Sequence, residues 1–127
     1  MNNPLSEINK NSITLTNLTD HEQDFGKLFD IKHSIIYKEC KNININFDTS
    51  LNKIILFKCE NIKIKCNKII SGIDIIKSNK IKIITEPYKP IYSIYSEDSL
   101  NISLKISTQM LNDTHIETDT NCITFID

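Results

Sequence analysis

One pattern of nineteen residues recurs along the middle of the chain and limits the fold more than any other feature. Ile35, Ile54, Ile73 and Tyr92 share a column, and Tyr37, Leu56, Ile75 and Ile94 share the next but one. Ile43, Ile62, Ile81 and Leu100 align further on, followed by Ile45, Ile64, Ile83 and Ile102. All sixteen positions are apolar in a chain that is 39% apolar, which rules out coincidence. The columns Lys41/Glu60/Asn79/Asp98, Asn42/Asn61/Lys80/Ser99 and Asn44/Lys63/Lys82/Asn101 hold no apolar residue. Alternation with period two marks strands with one buried face. A fixed period carrying two or three short strands is what a coil of a β-helix requires, because one coil cannot bury its inward face alone. The expected fold is therefore all-β, a parallel β-helix with about nineteen residues per coil, stacked at about 4.8 Å. Ile fills 26 positions while Ala and Val are absent, and β-branched side chains suit a pleated surface. An antiparallel sandwich also spaces its strands regularly, but it needs turns. Here there are two Gly, three Pro and no Asn-Gly or Asp-Gly pair.

At 127 residues the chain makes one domain. The first segment, 1–30, holds a polar start and a strand at Ile13–Leu15, with Asp20–Phe29 expected as a short helix or an edge-covering loop. Coils are expected over 31–112. Residues 113–127 read as two strands, Thr114–Thr118 and Cys122–Ile126, joined in a hairpin that covers the open end. Net charge is −1, which argues against nucleic acid or an anionic membrane as partner. Its distribution is uneven: thirteen Lys against seven acids over 31–105, with acidic ends on both sides. No apolar run reaches the length of a membrane span and Met1–Lys10 is polar, so a cytoplasmic protein is expected.

Enzymatic chemistry finds little support. Cys40, Cys59, Cys66 and Cys122 lack the paired spacing of a zinc site, and Cys40 and Cys59 are expected as stacked, reduced thiols one repeat apart. His21, His33 and His115 have no Ser or Cys at a catalytic spacing and are expected to be solvated. No cofactor or metal is implied. Asn42 and Asn61 fit a structural ladder at a coil corner, since Asn tolerates left-handed backbone. Of the tyrosines, Tyr92 belongs to a core column, while Tyr88 and Tyr95 are open to either packing or contact.

Three runs carry a family resemblance: Leu51-Asn-Lys-Ile-Ile-Leu-Phe-Lys-Cys59, Ser71-Gly-Ile-Asp-Ile-Ile-Lys-Ser-Asn-Lys-Ile-Lys-Ile83 and Pro90-Ile-Tyr-Ser-Ile94. Together with the looser Ile106-Ser-Thr-Gln-Met-Leu-Asn112, they are similar to the C-terminal domain of cyclase-associated protein. The resemblance implies a right-handed parallel β-helix that binds monomeric actin, favours its ADP form and promotes nucleotide exchange. It also implies a homodimer formed by exchange of a C-terminal hairpin, here Thr114, Ile116, Cys122, Ile123 and Phe125. The family's helical domain, proline-rich stretch and short helical actin-binding motif are not recognisable, and the family usually continues past the position of Asp127. A minimal, stand-alone, cytoskeleton-associated form is expected. Actin is acidic, so the lysines of the outward columns, Lys63, Lys65, Lys80 and Lys82, with the family-like Lys77 and Asn79, are the expected contact. The alternative is a module of the tubulin-cofactor-C type, for tubulin or a small GTPase. Such modules stimulate GTP hydrolysis with an arginine, and this chain has none.

Overall fold

Alternating apolar residues become strands whose buried faces meet across a narrow interior. A computed structural model describes residues 5–86, 89–107, 112–119 and 122–126, with side chains from Lys10 onward. It contains β1 (Leu5–Asn9), β2 (Ser12–Thr16), β3 (Thr19–Gly26), β4 (Ser34–Lys38), β5 (Lys41–Phe47), β6 (Leu51–Phe57) and β7 (Glu60–Cys66). These are followed by β8 (Ile69–Ile76), β9 (Asn79–Thr85), β10 (Ser93–Glu97), β11 (Leu100–Lys105), β12 (His115–Thr118) and β13 (Ile123–Phe125). Sheet A has the order β1-β2-β4-β6-β8-β10-β12 and sheet B the order β13-β11-β9-β7-β5-β3. Every pairing except the antiparallel β1–β2 hairpin is parallel, so the chain winds between the two sheets as a β-helix.

Inward residues stack in columns. Ile35, Ile54, Ile73 and Ile94 pair in turn in sheet A, and Ile43, Ile62, Ile81 and Ile102 in sheet B, all almost fully buried. Each such isoleucine contributes about 2 kcal/mol of burial. The repeat is nineteen residues only in the middle. Ser34 lies opposite Ser12, twenty-two residues earlier, and Ile94 lies opposite Ile73, twenty-one residues earlier. The fourth coil is therefore two residues out of the expected columns. Ile94, Ser96, Ile102 and Leu104 take the inward places assigned to Tyr92, Ile94, Leu100 and Ile102. Tyr92 and Leu100 instead stand 41% and 60% exposed. The extra two residues enter in the connection between β9 and β10. An even slip keeps each side chain on its face, which is why the columns still looked apolar.

The sheet A to sheet B corner is the most regular part. Asn17, Glu39, Lys58, Lys77 and Asp98 have φ between 50° and 61°, and so do Asp20, Asn42, Asn61, Lys80 and Asn101 three residues on. Between them lies a buried column of Leu18, Cys40, Cys59, Ser78 and Ser99. The strained backbone is held by bonds between coils: Glu39 N–H donates to Phe57 O, Lys58 N–H to Ile76 O and Lys77 N–H to Glu97 O, at 2.9–3.0 Å. Ser78 Oγ accepts from Cys59 N–H and Ser99 Oγ from Ser78 N–H, both at 3.1 Å. The expected asparagine ladder is present, Asn61 donating to Asn42 and Asn42 to Asp20 at 2.8 Å. Cys40, Cys59 and Cys66 are buried free thiols, Cys40 and Cys59 in that corner column. Gly72 has φ 95°, and a Cβ there would collide with the Ser93 carbonyl, so the close approach of β8 to the next coil requires glycine.

Both ends differ from expectation. Asp20–Phe29 is neither helix nor loop over most of its length: Thr19–Gly26 is strand β3, parallel to β5. His21 and Gln23 occupy the places of Ile43 and Ile45, so the polarity that hid the strand is that of a terminal coil. Gln23 accepts a 2.8 Å bond from the Tyr37 hydroxyl, and Phe25 packs on Phe29 and Phe47 at 5.2 and 5.1 Å to close the core. At the other end, β12 and β13 do not pair with each other as a hairpin. β12 is parallel to β10 and β13 to β11, with Ile116 on Ile94 and Ile123 on Ile102, because their alternation continues the inward columns. The one hairpin among the described strands is β1–β2, which covers the edge of sheet A.

Burial keeps two ionisable groups of the interior neutral. It pushes the Cys66 thiol up to about 12, with the Glu86 carboxylate adding to the effect, and raises the Tyr37 phenol far above its usual 10. Both groups are acids whose folded values exceed the unfolded ones, so their stabilising contribution is full below about pH 9 and is lost as pH rises through the folded values. We expect chemical-denaturation stability to fall by about 1.4 kcal/mol per pH unit per group above pH 9–10, and Tyr37→Phe to flatten the upper part of that slope. A profile level from pH 9 to 11 would contradict this account of the interior.

Candidate functional site

Because side chains alternate across a strand, the outward face of sheet B is read at every second residue. Lys63 and Lys65 project from β7, with Lys82 paired beside Lys63 on β9 and Ile84 beside Lys65. On the other side of β7, Asn44 and Asn46 of β5 pair with Lys63 and Lys65, and Glu22 and Asp24 of β3 pair with Asn44 and Asn46. All three lysines are exposed. Lys80 is the left-handed corner residue that leads into this face, and Lys77 is the left-handed residue on the far side of the same corner. Asn79 opens β9 and accepts a 2.9 Å bond from Asn101 Nδ2, which extends a corner ladder. The structure therefore gathers Lys63, Lys65, Lys80 and Lys82 on one face and its rim, and places Lys77 and Asn79 around the turn.

None of these five lysines has an ion pair among the described residues, where Lys pairs occur only at Lys41–Glu60, 3.5 Å, and Lys53–Asp74, 2.9 Å. Lys53–Asp74 lies on the outward face of sheet A, next to the half-buried Ile36, Ile55, Phe57 and Ile76. There Lys58 sits over the Phe57 ring, 5.4 Å from its centroid, and Tyr95 donates to Glu97 at 3.2 Å. On sheet A, Lys53, Lys58 and Tyr95 thus engage groups of that sheet's own surface, whereas Lys63, Lys65 and Lys82 of sheet B are exposed and make no ion pair among the described residues.

Three features of this face were not legible in the sequence. Glu22 and Asp24 join it only because β3 is a strand. Asn46 holds Asp24, donating to its Oδ1 at 3.0 Å, and Gly26 N–H does the same. Those two bonds, the Asn46 one foremost, keep the Asp24 carboxyl below the usual carboxylate range and hence ionised. A groove of about 490 Å³ opens between β3 and β7, lined by Glu22, Gln23, Asp24, Asn44, Ile45, Asn46, Lys63 and Lys65. The alternation of residues 20–24 was the available signal, obscured by polar side chains at both parities.

The expected dimer residues form the last coil. Thr114, Ile116, Cys122 and Ile123 are half-buried and Phe125 is 51% exposed. Ser96 Oγ and Cys122 Sγ lie 3.3 Å apart, within hydrogen-bond reach. The histidines make local contacts: His21 Nδ1 with Thr19 O at 2.6 Å and His33 Nδ1 with Asp30 at 3.0 Å. Among the described residues no three His, Cys, Asp or Glu side chains come close enough to hold a metal ion. Tyr88 lies outside the described residues.

The architecture is a two-sheet parallel β-helix whose sheet B carries an outward row of exposed lysines. The chain matches the family described as adenylate cyclase associated (CAP) C terminal over residues 2–123, and so belongs to that family. Its fold is similar to the crystal structure of cyclase-associated protein from Cryptosporidium parvum, with a TM-score of 0.82 and 17% identity. That similarity covers all of this chain and 78% of the other. No curated protein matches the chain.

Since Lys63, Lys65 and Lys82 have no ion pair, replacing all three with Ala is expected to leave the melting temperature within about 2 °C. Circular dichroism checks this, and a fall of more than about 5 °C would mean that the lysines hold the fold.

Proposed function

We propose that this chain binds monomeric actin through the outward face of sheet B, with Lys63, Lys65, Lys80 and Lys82 as the principal contacts and Lys77 and Asn79 at the rim. The observation that carries the proposal is the row of unpaired lysines in a chain of this family whose other broad face spends its charges internally. An acidic monomer approaching such a face is steered and set in register by it, with the binding energy coming from the contact that follows. The protein regulates actin turnover in the cytoplasm without a reaction of its own, favouring ADP-actin and promoting exchange of its nucleotide. Two copies associate through the terminal coil, where β12 and β13 are the last of the described strands in their sheets and Phe125 is exposed.

The test is a fluorescence titration of labelled ADP-actin and ATP-actin monomers, run alongside nucleotide release. We expect saturable binding, tighter for ADP-actin. The Lys63/Lys65/Lys82 triple alanine variant should weaken it about tenfold and flatten its salt dependence. No binding at tens of micromolar would sink the proposal.

A further inference from the structure

Strand β3 extends sheet B by one coil and changes the sign of its outer face. Along the stacking direction the outward residues run Glu22, Asn44, Lys63 and Asp24, Asn46, Lys65, from acid through amide to base within two coils. Two coil spacings are about 10 Å, so the two walls face each other across the groove at roughly the reach of one partner side chain on each. The acidic wall is built rather than incidental: Asn46 bridges Asp24 and Asp48, donating to each at 3.0 Å, and Gly26 N–H fixes the same Asp24 oxygen. The walls do not neutralise one another, since among the described residues neither Lys63 nor Lys65 pairs with Glu22 or Asp24.

We propose that the groove is a two-sign docking cleft, in which the actin monomer that meets Lys63, Lys65 and Lys82 with acidic side chains places a basic side chain between Glu22 and Asp24. The inference rests on the actin proposal and adds orientation to it. A uniformly basic face attracts an acidic surface in many registers. An acidic wall about 10 Å away penalises every register that brings another carboxylate there, and so fixes which way round the partner docks.

The sign of one substitution tests it. Glu22 is exposed and makes no ion pair or side-chain hydrogen bond among the described residues, so Glu22→Lys leaves the fold intact, checked by an unchanged melting curve. If the face is simply basic, Glu22→Lys raises its positive charge and tightens binding to an acidic monomer. If the acidic wall receives a cation, Glu22→Lys weakens binding about fourfold or more and Glu22→Gln about twofold. Both are measured by the same titration on the full chain, with the triple alanine variant as reference. Tightened or unchanged binding by Glu22→Lys, while the triple variant still weakens it, overturns the two-sign cleft and leaves the actin proposal standing. Failure of the unsubstituted chain to bind actin overturns both.

Discussion

The corner between the two sheets is the constraint on which the rest depends. Each coil turns there through two non-glycine residues in left-handed backbone, a conformation that costs about 1 kcal/mol or more apiece. Nothing local repays that cost; the neighbouring coil does. The N–H of the first left-handed residue donates to a carbonyl of the following coil at Asn17, Glu39, Lys58 and Lys77 and to the Asp119 carboxylate at Asp98, and a buried leucine, thiol or hydroxyl between the two left-handed residues fills the bend. Only the in-register parallel stack makes all these bonds at once, so the corner sets the register, the register stacks like residues, and the stacked columns bury the isoleucines. An outward face with a defined order of charges follows as a by-product of the same register.

This dependence explains what the amino-acid sequence reveals and what it hides. Where the corner spacing is constant, from Ile35 to Ile83, the nineteen-residue period names the correct columns. Past Ile84 the connection to β10 lengthens by two, and periodicity cannot detect an insertion that preserves parity. Tyr92 and Leu100 therefore looked like core residues although both stand on the surface. At the N-terminal end His21 and Gln23 take the places of inward residues by register, and polar side chains are tolerated there because β3 is the terminal strand of sheet B, so a hydrophobic pattern is missing where a strand exists. At the C-terminal end two short strands separated by a polar turn suit a hairpin equally well by pattern. The alignment of Ile116 and Ile123 with the inward columns decides for another coil.

The site divides along the same line. The lysines were legible because they lie in the regular coils, where an outward column can be counted. Their isolation from carboxylates was not legible, since it depends on the cross-strand neighbours that the register gives Lys63 and Lys65: Asn44, Asn46, Lys82 and Ile84. Nor was the acidic wall, because Glu22 and Asp24 belong to the coil whose strand was hidden. A face first seen as a basic ladder is, in three dimensions, a basic ladder that ends in a built acidic edge.

The most direct test of this account is backbone amide mapping of the free protein against its complex with monomeric ADP-actin, by hydrogen exchange or chemical-shift change. The account predicts that the perturbed amides trace one surface, β3, β5, β7 and β9 of sheet B with the corner at residues 77–80, and leave β4, β6 and β8 unchanged. Perturbation centred instead on Ile36, Ile55, Phe57 and Ile76 of sheet A would contradict it.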